Sequence, residues 1–584
     1  MPLRQLLVIR STQPENTYGR FTGEILKAEG LNGFDILDLD REPFPDLGAD
    51  DLVVLTRCFL RAGEIGLLTA GIEHGARVVC LQPSWKLAQR LGWQLTCRVA
   101  QPGWVDIHEG YPGTGSPIQA HVPITLYAPP ESADYEVLAD AVQPDWQVTG
   151  YPAVVRQRLG QGEVALFFYD LPEAVARIRF GNPDLVSLLT NGSMTWPHAC
   201  DLFEDHIDHR VFHLPQADFH GQLLAKVLTD LSPAPLARFW YYPDVRARTA
   251  AVFQSDDDFS TPDQFDELAT MLREHGATGT FYLMEHTLLP DETVAAMQAD
   301  GHTFAPHVMA AEVNNEGVVL DHETEWYFSF PEALKRETAA FHTRYGQCSQ
   351  TLQSHCAPWF GYLNLVPLHR QLGYRLLFAY LSAPAERLNR YMCGSGRPLR
   401  FFDRDGTLHE CWQQPMPTFD DASIKAQVQA DPRPVIADFA TLLRTALDVH
   451  HTTIPILSHP VSFSTYSRPY IEACFDMLVQ EGVPIFNGDQ WLAFLDRRDA
   501  VGVQQSRHAD GIEYRVTDLV GPLPLLIPIA SNETPAVLID GQPATGLIVD
   551  RLGQRYLAVQ LDGTPEQTDI RIQLIPDNAV KEVV

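Results

Sequence analysis

Four stretches of the 584-residue chain run apolar and then stop at an acid or a histidine. TAAVFQS ends in Asp256, Asp257 and Asp258, GHTFAPH ends in His307, TLQSH ends in His355, and TTIPILSH ends in His459. Helical segments lie between them. Thr261-Pro262-Asp263-Gln264 is a capping box with proline at the first helical position. Phe265, Leu268, Ala269 and Leu272 then form one buried stripe, and Gly276 closes the helix before the next strand, ATGTFYLM. Strands that alternate with helices form a parallel sheet, and the carboxyl ends of such strands are where α/β barrels hold their active sites. One histidine there is an ordinary residue; several at matching ends point to a site.

This pattern occupies about residues 245–500, and the rest of the chain reads differently. Before it, Leu6–Ile9, Phe34–Leu39, Leu52–Leu55 and Arg77–Leu81 are buried parallel strands separated by glycine-closed amphipathic helices. That series predicts an open, flavodoxin-like sheet over residues 1–180. Residues 181–244 read as a connector of mixed character. After the middle segment, the runs EYRVTDL, PLLIPIAS, AVLIDG, GLIVDR, RYLAVQLDG and DIRIQLIP are split by turn signals such as Asp540-Gly541 and Asp562-Gly563. They predict a small β-sandwich over 505–584, read as a structural cap because only Tyr514 and Tyr556 offer aromatic platforms for a carbohydrate. The expected architecture is therefore α/β: a flavodoxin-like domain, a deformed (β/α) barrel and a β-sandwich.

Charge narrows the partners. A formal net charge of −31 disfavours phosphate backbones and anionic membranes, so no nucleic acid is expected. No run is long enough and free enough of charge to span a membrane. MPLRQLLVIRSTQPEN has a short apolar patch broken by Arg10 and no small-residue cleavage site, so the sequence as given reads as cytoplasmic. Nine cysteines without paired spacing fit free thiols.

The middle segment resembles the polysaccharide-deacetylase domain (NodB homology, carbohydrate esterase family 4). QSDDD stands where that family has threonine, an aromatic, two aspartates and glycine; GHTFAPH matches its first metal-histidine strand; CAPWFG matches its groove motif; and PILSHP matches the motif of its general-acid histidine. The resemblance implies a general base at Asp256, metal ligands at Asp257 and His307, a general acid at His459 and a groove residue at Trp359 that stacks on a sugar. Three positions depart from it. Ala311 stands where the second metal histidine belongs, Cys356 replaces the groove arginine, and Asp258 replaces the glycine. His355 is the first candidate for the missing ligand because it ends a neighbouring strand; Glu312 and His322 come next.

GARVVCLQPSWKLAQRLGW in the first part resembles class I glutamine-amidotransferase-like domains. Cys80 there has no flanking glycine turn, so it reads as a core cysteine and the domain as non-catalytic.

Amide hydrolysis needs an attacking water, oxyanion stabilisation and a proton for the leaving amine. A divalent ion of zinc type on nitrogen and oxygen ligands, a carboxylate base and a histidine acid supply these. The expected reaction is removal of N-acetyl, or else O-acetyl, groups from an acetylated glycan. The rivals are a deacetylase-fold scaffold without metal, and a glycoside hydrolase pairing Asp256 with Asp420 or Asp421.

Overall fold

The structure, a computed structural model, describes residues 2–131, 134–186, 197–309, 326–509, 511–530, 536–564 and 569–575. It is a mixed α/β protein with several sheets. Among the described residues no helix is long and apolar enough to cross a membrane.

The first sheet has nine strands. Asp35–Asp38, Arg4–Ile9, Asp51–Leu55, Arg77–Leu81 and Gly162–Phe167 lie parallel, as the strand–helix alternation predicts. The sheet then continues antiparallel through Val148–Leu159, Tyr135–Val142, Trp104–Ile107 and Ile118–Gln119, which departs from a purely parallel reading. The cause is local. Only Gly160 and Gln161 separate Val148–Leu159 from Gly162–Phe167, and two residues can join only antiparallel neighbours. Gly160 takes a φ of 61°, where an added Cβ would meet the Glu73 backbone at 2.6 Å. Cys80 is fully buried inside Arg77–Leu81, and burial pushes its thiol up, as befits a packing residue.

The second sheet carries the acids and histidines. Ala251–Asp256 lies at its centre, flanked in parallel by Thr280–Leu283 and Ile454–Ser458, with Ile485–Phe486 on its amino-terminal end. Thr303–Pro306 and Thr418–Phe419 extend it in parallel on either side. Among the described residues these six strands do not by themselves close into one continuous ladder. Thr351–Leu352 and Leu376–Leu377 pair in a separate four-stranded sheet. Single bonds bridge the gap: Ser349 N–H donates to the Phe304 carbonyl (2.7 Å), His355 N–H to Val308 (3.1 Å) and Ser382 N–H to Met416 (3.0 Å).

Two antiparallel sheets follow. One combines Gly521–Pro528, Gln554–Gly563 and Leu547–Arg551 with Arg238–Phe239, which comes from the expected connector. The other holds Gly502–His508, Gly511–Thr517, Ile570–Ile575, Ala536–Ile539 and Gln542–Ala544. Tyr514 and Tyr556 are buried between elements, so neither offers an aromatic platform.

The connector is more than a loop. Its helix Gln216–Leu231 is buried along most of its length. The small sheet of 351–413 packs against helices of the first part: Phe21 stacks on Phe402 (4.8 Å between centroids) and Phe180 on Phe401 (5.7 Å). One hydrophobic core therefore joins the first sheet to this segment, and a second joins the acid-bearing sheet to the last two sheets.

Candidate active site

Parallel strands deliver their carboxyl ends to one edge, and there the sequence-predicted residues meet. Ala251–Asp256 supplies the acids, Thr303–Pro306 is followed directly by His307, and Ile454–Ser458 by His459. His355 arrives from the neighbouring sheet, held by its backbone bond to Val308.

The centre of the cluster is Asp258, not Asp257. Asp258 Oδ1 lies 3.1 Å from His307 Nε2 and 3.0 Å from His355 Nδ1, and those two nitrogens are 3.3 Å apart. The ligand atoms of these three residues all fall within 4.8 Å of one another. Asp258 reaches inward because the chain turns left-handed, with φ of 43° at Asp258 and 58° at Phe259. Asp257 points elsewhere. Its carboxylate accepts from Ser260 N–H (3.2 Å) and Met284 N–H (3.2 Å), which ties the turn to the end of Thr280–Leu283. It braces the loop rather than joining the triad.

His307 is oriented for a ligand. Its Nδ1 donates to the Gln353 carbonyl (3.1 Å), which leaves the Nε2 lone pair facing Asp258 and His355. Two imidazole nitrogens and a carboxylate oxygen are a donor set that fits a divalent ion of zinc type with open positions. Ala311, Glu312 and His322 lie outside the described residues.

Asp256 and His459 flank this triad. Asp256 is buried, and among the described residues its Oδ1 has no hydrogen-bond partner. Its carboxyl is pushed up to about 6 by burial, which the nearby imidazoles His307 and His459 only partly offset. Cys356, where the resemblance implies an arginine, brings no counter-charge. His459 Nε2 lies 4.0 Å from Asp256 Oδ2 and 3.7 Å from Asp258 Oδ2. Its other nitrogen, Nδ1, contacts Asp420 Oδ1 at 2.8 Å, and its backbone N–H donates to the same oxygen at 3.0 Å. Asp420 Oδ2 in turn accepts from Ser458 Oγ (2.7 Å) and Ser467 Oγ (2.5 Å). Burial disfavours the His459 charge, yet Asp258, Asp420 and Asp256 outweigh it and raise the imidazole to about 10. Burial likewise opposes the Asp258 charge, but His459, His307 and His355 hold that carboxyl well below its usual range.

Trp359 is not at the site surface. It is 1% exposed, stacks on Phe401 (6.0 Å), meets Tyr380 edge to face (5.2 Å), and donates from Nε1 to the Tyr362 carbonyl. No face of its ring is left for a sugar. Sequence reasoning missed the place of Asp258, and it named Asp420 only as a glycoside-hydrolase acid and not as the partner of His459. Asp258 was passed over as a lost glycine, although that position is left-handed and so turns whatever side chain it carries. Asp420 ends the short strand Thr418–Phe419 in the same way the other site residues end theirs.

No family model matches the chain, and no curated protein sequence matches it. Among solved structures it is similar to the carbohydrate deacetylase Agd3 (TM-score 0.43, 12% identity, covering 98% of this chain and 99% of that one). It is also similar to the peptidoglycan deacetylase PdaC from Bacillus subtilis (TM-score 0.27, 14% identity, 44% of this chain and 96% of that one). A mutant of a CE4 family pseudoenzyme gives TM-score 0.26 at 13% identity, over 45% of this chain and 73% of that one. At these scores the likeness is too loose to carry chemistry across, and it spans enzymes and a pseudoenzyme alike. The chemistry rests on the site.

Proposed function

We propose that the chain is a metal-dependent hydrolase that removes acetyl groups from the amine nitrogens of a glycan. The observation that carries this reading is the juxtaposition of the Asp258–His307–His355 triad with an Asp256 whose Oδ1 has no hydrogen-bond partner among the described residues and an Asp420-bound His459. Asp258, His307 and His355 would hold the ion, of zinc type, which supplies an acidified water and polarises the acetyl carbonyl. Asp256 takes a proton from the attacking water as the water oxygen bonds to the acetyl carbon. His459, fixed through Nδ1, presents Nε2 and gives a proton to the nitrogen as the carbon–nitrogen bond breaks. Water and amide become acetate and free amine, and the proton lent by His459 is restored from Asp256 through solvent. Burial of Asp256 keeps competing water off its free oxygen.

The Asp420 form of the glycoside-hydrolase rival loses support, and the Asp421 form is left to the assay below. A glycoside hydrolase pairing Asp256 with Asp420 needs a second carboxyl facing the sugar, but Asp420 is fully buried and spends both oxygens on His459, Ser458 and Ser467. The test is release of acetate, against new reducing ends, from an N-acetylated oligosaccharide by metal-loaded protein. Asp256→Asn should keep its metal and lose turnover by about a hundredfold or more. Undiminished activity in that variant would defeat the assignment.

A further inference from the structure

Far from the acids and histidines, arginines are buried in excess where the helix Gly19–Ala28, the segment 238–242 and the helix Gly488–Ala500 meet. Arg179, Arg238 and Arg397 are each at most 7% exposed, and the carboxylates buried with them are only Glu29 and Asp218. Glu29 accepts from Arg397 Nη2, Arg238 Nη2 and the Tyr241 hydroxyl. Asp218 accepts from Ser395 Oγ and Gly396 N–H and lies 3.7 Å from Arg397 Nε. A fourth guanidinium, Arg498, donates only to carbonyls, those of Trp240, Lys27, Ala28 and Phe239. Three buried guanidinium groups, Arg179, Arg238 and Arg397, thus share two carboxylates, with the half-buried Arg498 beside them, in a chain whose formal net charge is −31. Nothing about such a chain favours leaving positive charge buried without a partner.

A small cavity lies against this cluster. It is lined by Arg397, Arg498, Lys27, Tyr241, Trp412 and Trp491 among others, with about 30 Å³ of free space, enough for one or two particles the size of a water. Arg397 turns Nε to Asp218 and Nη2 to Glu29, and its plane stacks over Tyr241 at 4.2 Å. Nη1, like Nε, is buried and has no hydrogen-bond partner among the described residues. Two acids also line the cavity, Glu24 and Asp499, but they are already engaged. Arg400 reaches Asp499 at 2.7 Å and Glu24 at 3.5 Å, and Lys27 lies 3.6 Å from Asp499. Neither compensates Arg397 or Arg498.

We propose that this cavity binds a small monatomic anion, chloride in ordinary solution, against Arg397 Nη1. A space of this order suits a small ion, and the ion would supply the acceptor that Arg397 Nε and Nη1 lack together with the missing counter-charge. The bound ion would fasten the end of Gly19–Ala28 to Gly488–Ala500, and so join the first sheet to the acid-bearing one.

Two measurements on the full chain decide this. In crystals soaked with bromide, an anomalous peak is expected beside Arg397 Nη1; a cavity without one overturns the proposal. In thermal unfolding at fixed pH and ionic strength, replacing gluconate with chloride should raise the midpoint saturably. At about a hundred times its Kd the anion raises the folding equilibrium constant roughly a hundredfold. A midpoint indifferent to the exchange means that the cavity holds water only and also overturns the proposal. Arg397→Lys should weaken the chloride effect at least tenfold. An undiminished effect in a folded Arg397→Lys protein would refute this site. The wild-type measurements stand even where that variant fails to fold.

Discussion

Removing the Asp420 carboxylate tests how His459 is made into an acid. Asp420 accepts four hydrogen bonds, from the His459 N–H, His459 Nδ1, Ser458 Oγ and Ser467 Oγ. Asp420→Ala strands four buried donors, and at ~1 kcal/mol or more for each unpaired group it should cost about 4 kcal/mol of stability before water enters or the serines turn. Asp420→Asn separates the effects. Its amide oxygen still takes the Nδ1–H, and both serines can rotate to accept from its NH₂, so the expected stability loss is ~1–2 kcal/mol. What the amide cannot do is stabilise an imidazolium. A histidine that loses its charged partner in this way costs catalysis roughly 10²–10⁴ in kcat, or ~3–5 kcal/mol of transition-state stabilisation. Acetate release, metal content and urea unfolding should be measured for wild type and both variants. Asp420→Asn should keep its metal and most of its stability while turnover collapses. Near-wild-type turnover in Asp420→Asn would refute the view that His459 acts as a cation held by this carboxylate.

Asp258→Ala should abolish stoichiometric divalent-metal content while Asp257→Ala retains it and loses stability; the reverse pattern in elemental analysis would return Asp257 to the ligand set. Trp359→Ala should destabilise the protein by ~3–5 kcal/mol in denaturant unfolding, as for other buried tryptophans. Acid should unfold the chain through His220, whose Nε2–H donates to the Gln119 carbonyl and whose Nδ1 accepts from the Tyr169 hydroxyl, both at 2.9 Å. Burial lowers that imidazole from 6.5 to about 4, so the unfolded chain binds the extra proton. The stability this group contributes is present above pH 6.5 and is lost as pH falls towards 4, by ~3 kcal/mol in all. Urea midpoints measured across that range should fall less steeply in His220→Gln than in wild type.

The sequence carried the site's location better than its wiring. Asp256, His307, His355 and His459 were legible because each ends an apolar run, and strand polarity alone sends such residues to one edge. His355 ends such a run too, and it was put forward as a ligand because the resemblance left Ala311 where a metal histidine belongs. Asp257 and Asp258 could not be told apart, since the choice depends on two left-handed residues, Asp258 and Phe259, and neither is glycine. Trp359 was misplaced because a tryptophan's exposure is decided by what packs on it, here Phe401 and Tyr380 from a sheet formed by short, uninformative strands. The parallel half of the first sheet was readable from its alternation. Its antiparallel extension was not, because no helix-length segment marks where the crossovers stop. Nor did the connector announce its buried helix, whose burial rests on partners up to 230 residues away, such as the His450 carbonyl that accepts from Gln222.

The central claim is that Asp258, His307 and His355 arm Asp256 and His459 for amide hydrolysis. Its most direct test is acetate released from an N-acetylated oligosaccharide by the protein stripped of metal and then reloaded with one equivalent of zinc. The account predicts no release from the stripped protein, recovery at one ion per chain, and neither recovery nor zinc retention in His307→Ala. Acetate release that is indifferent to stripping, or stoichiometric zinc binding by His307→Ala, would contradict it.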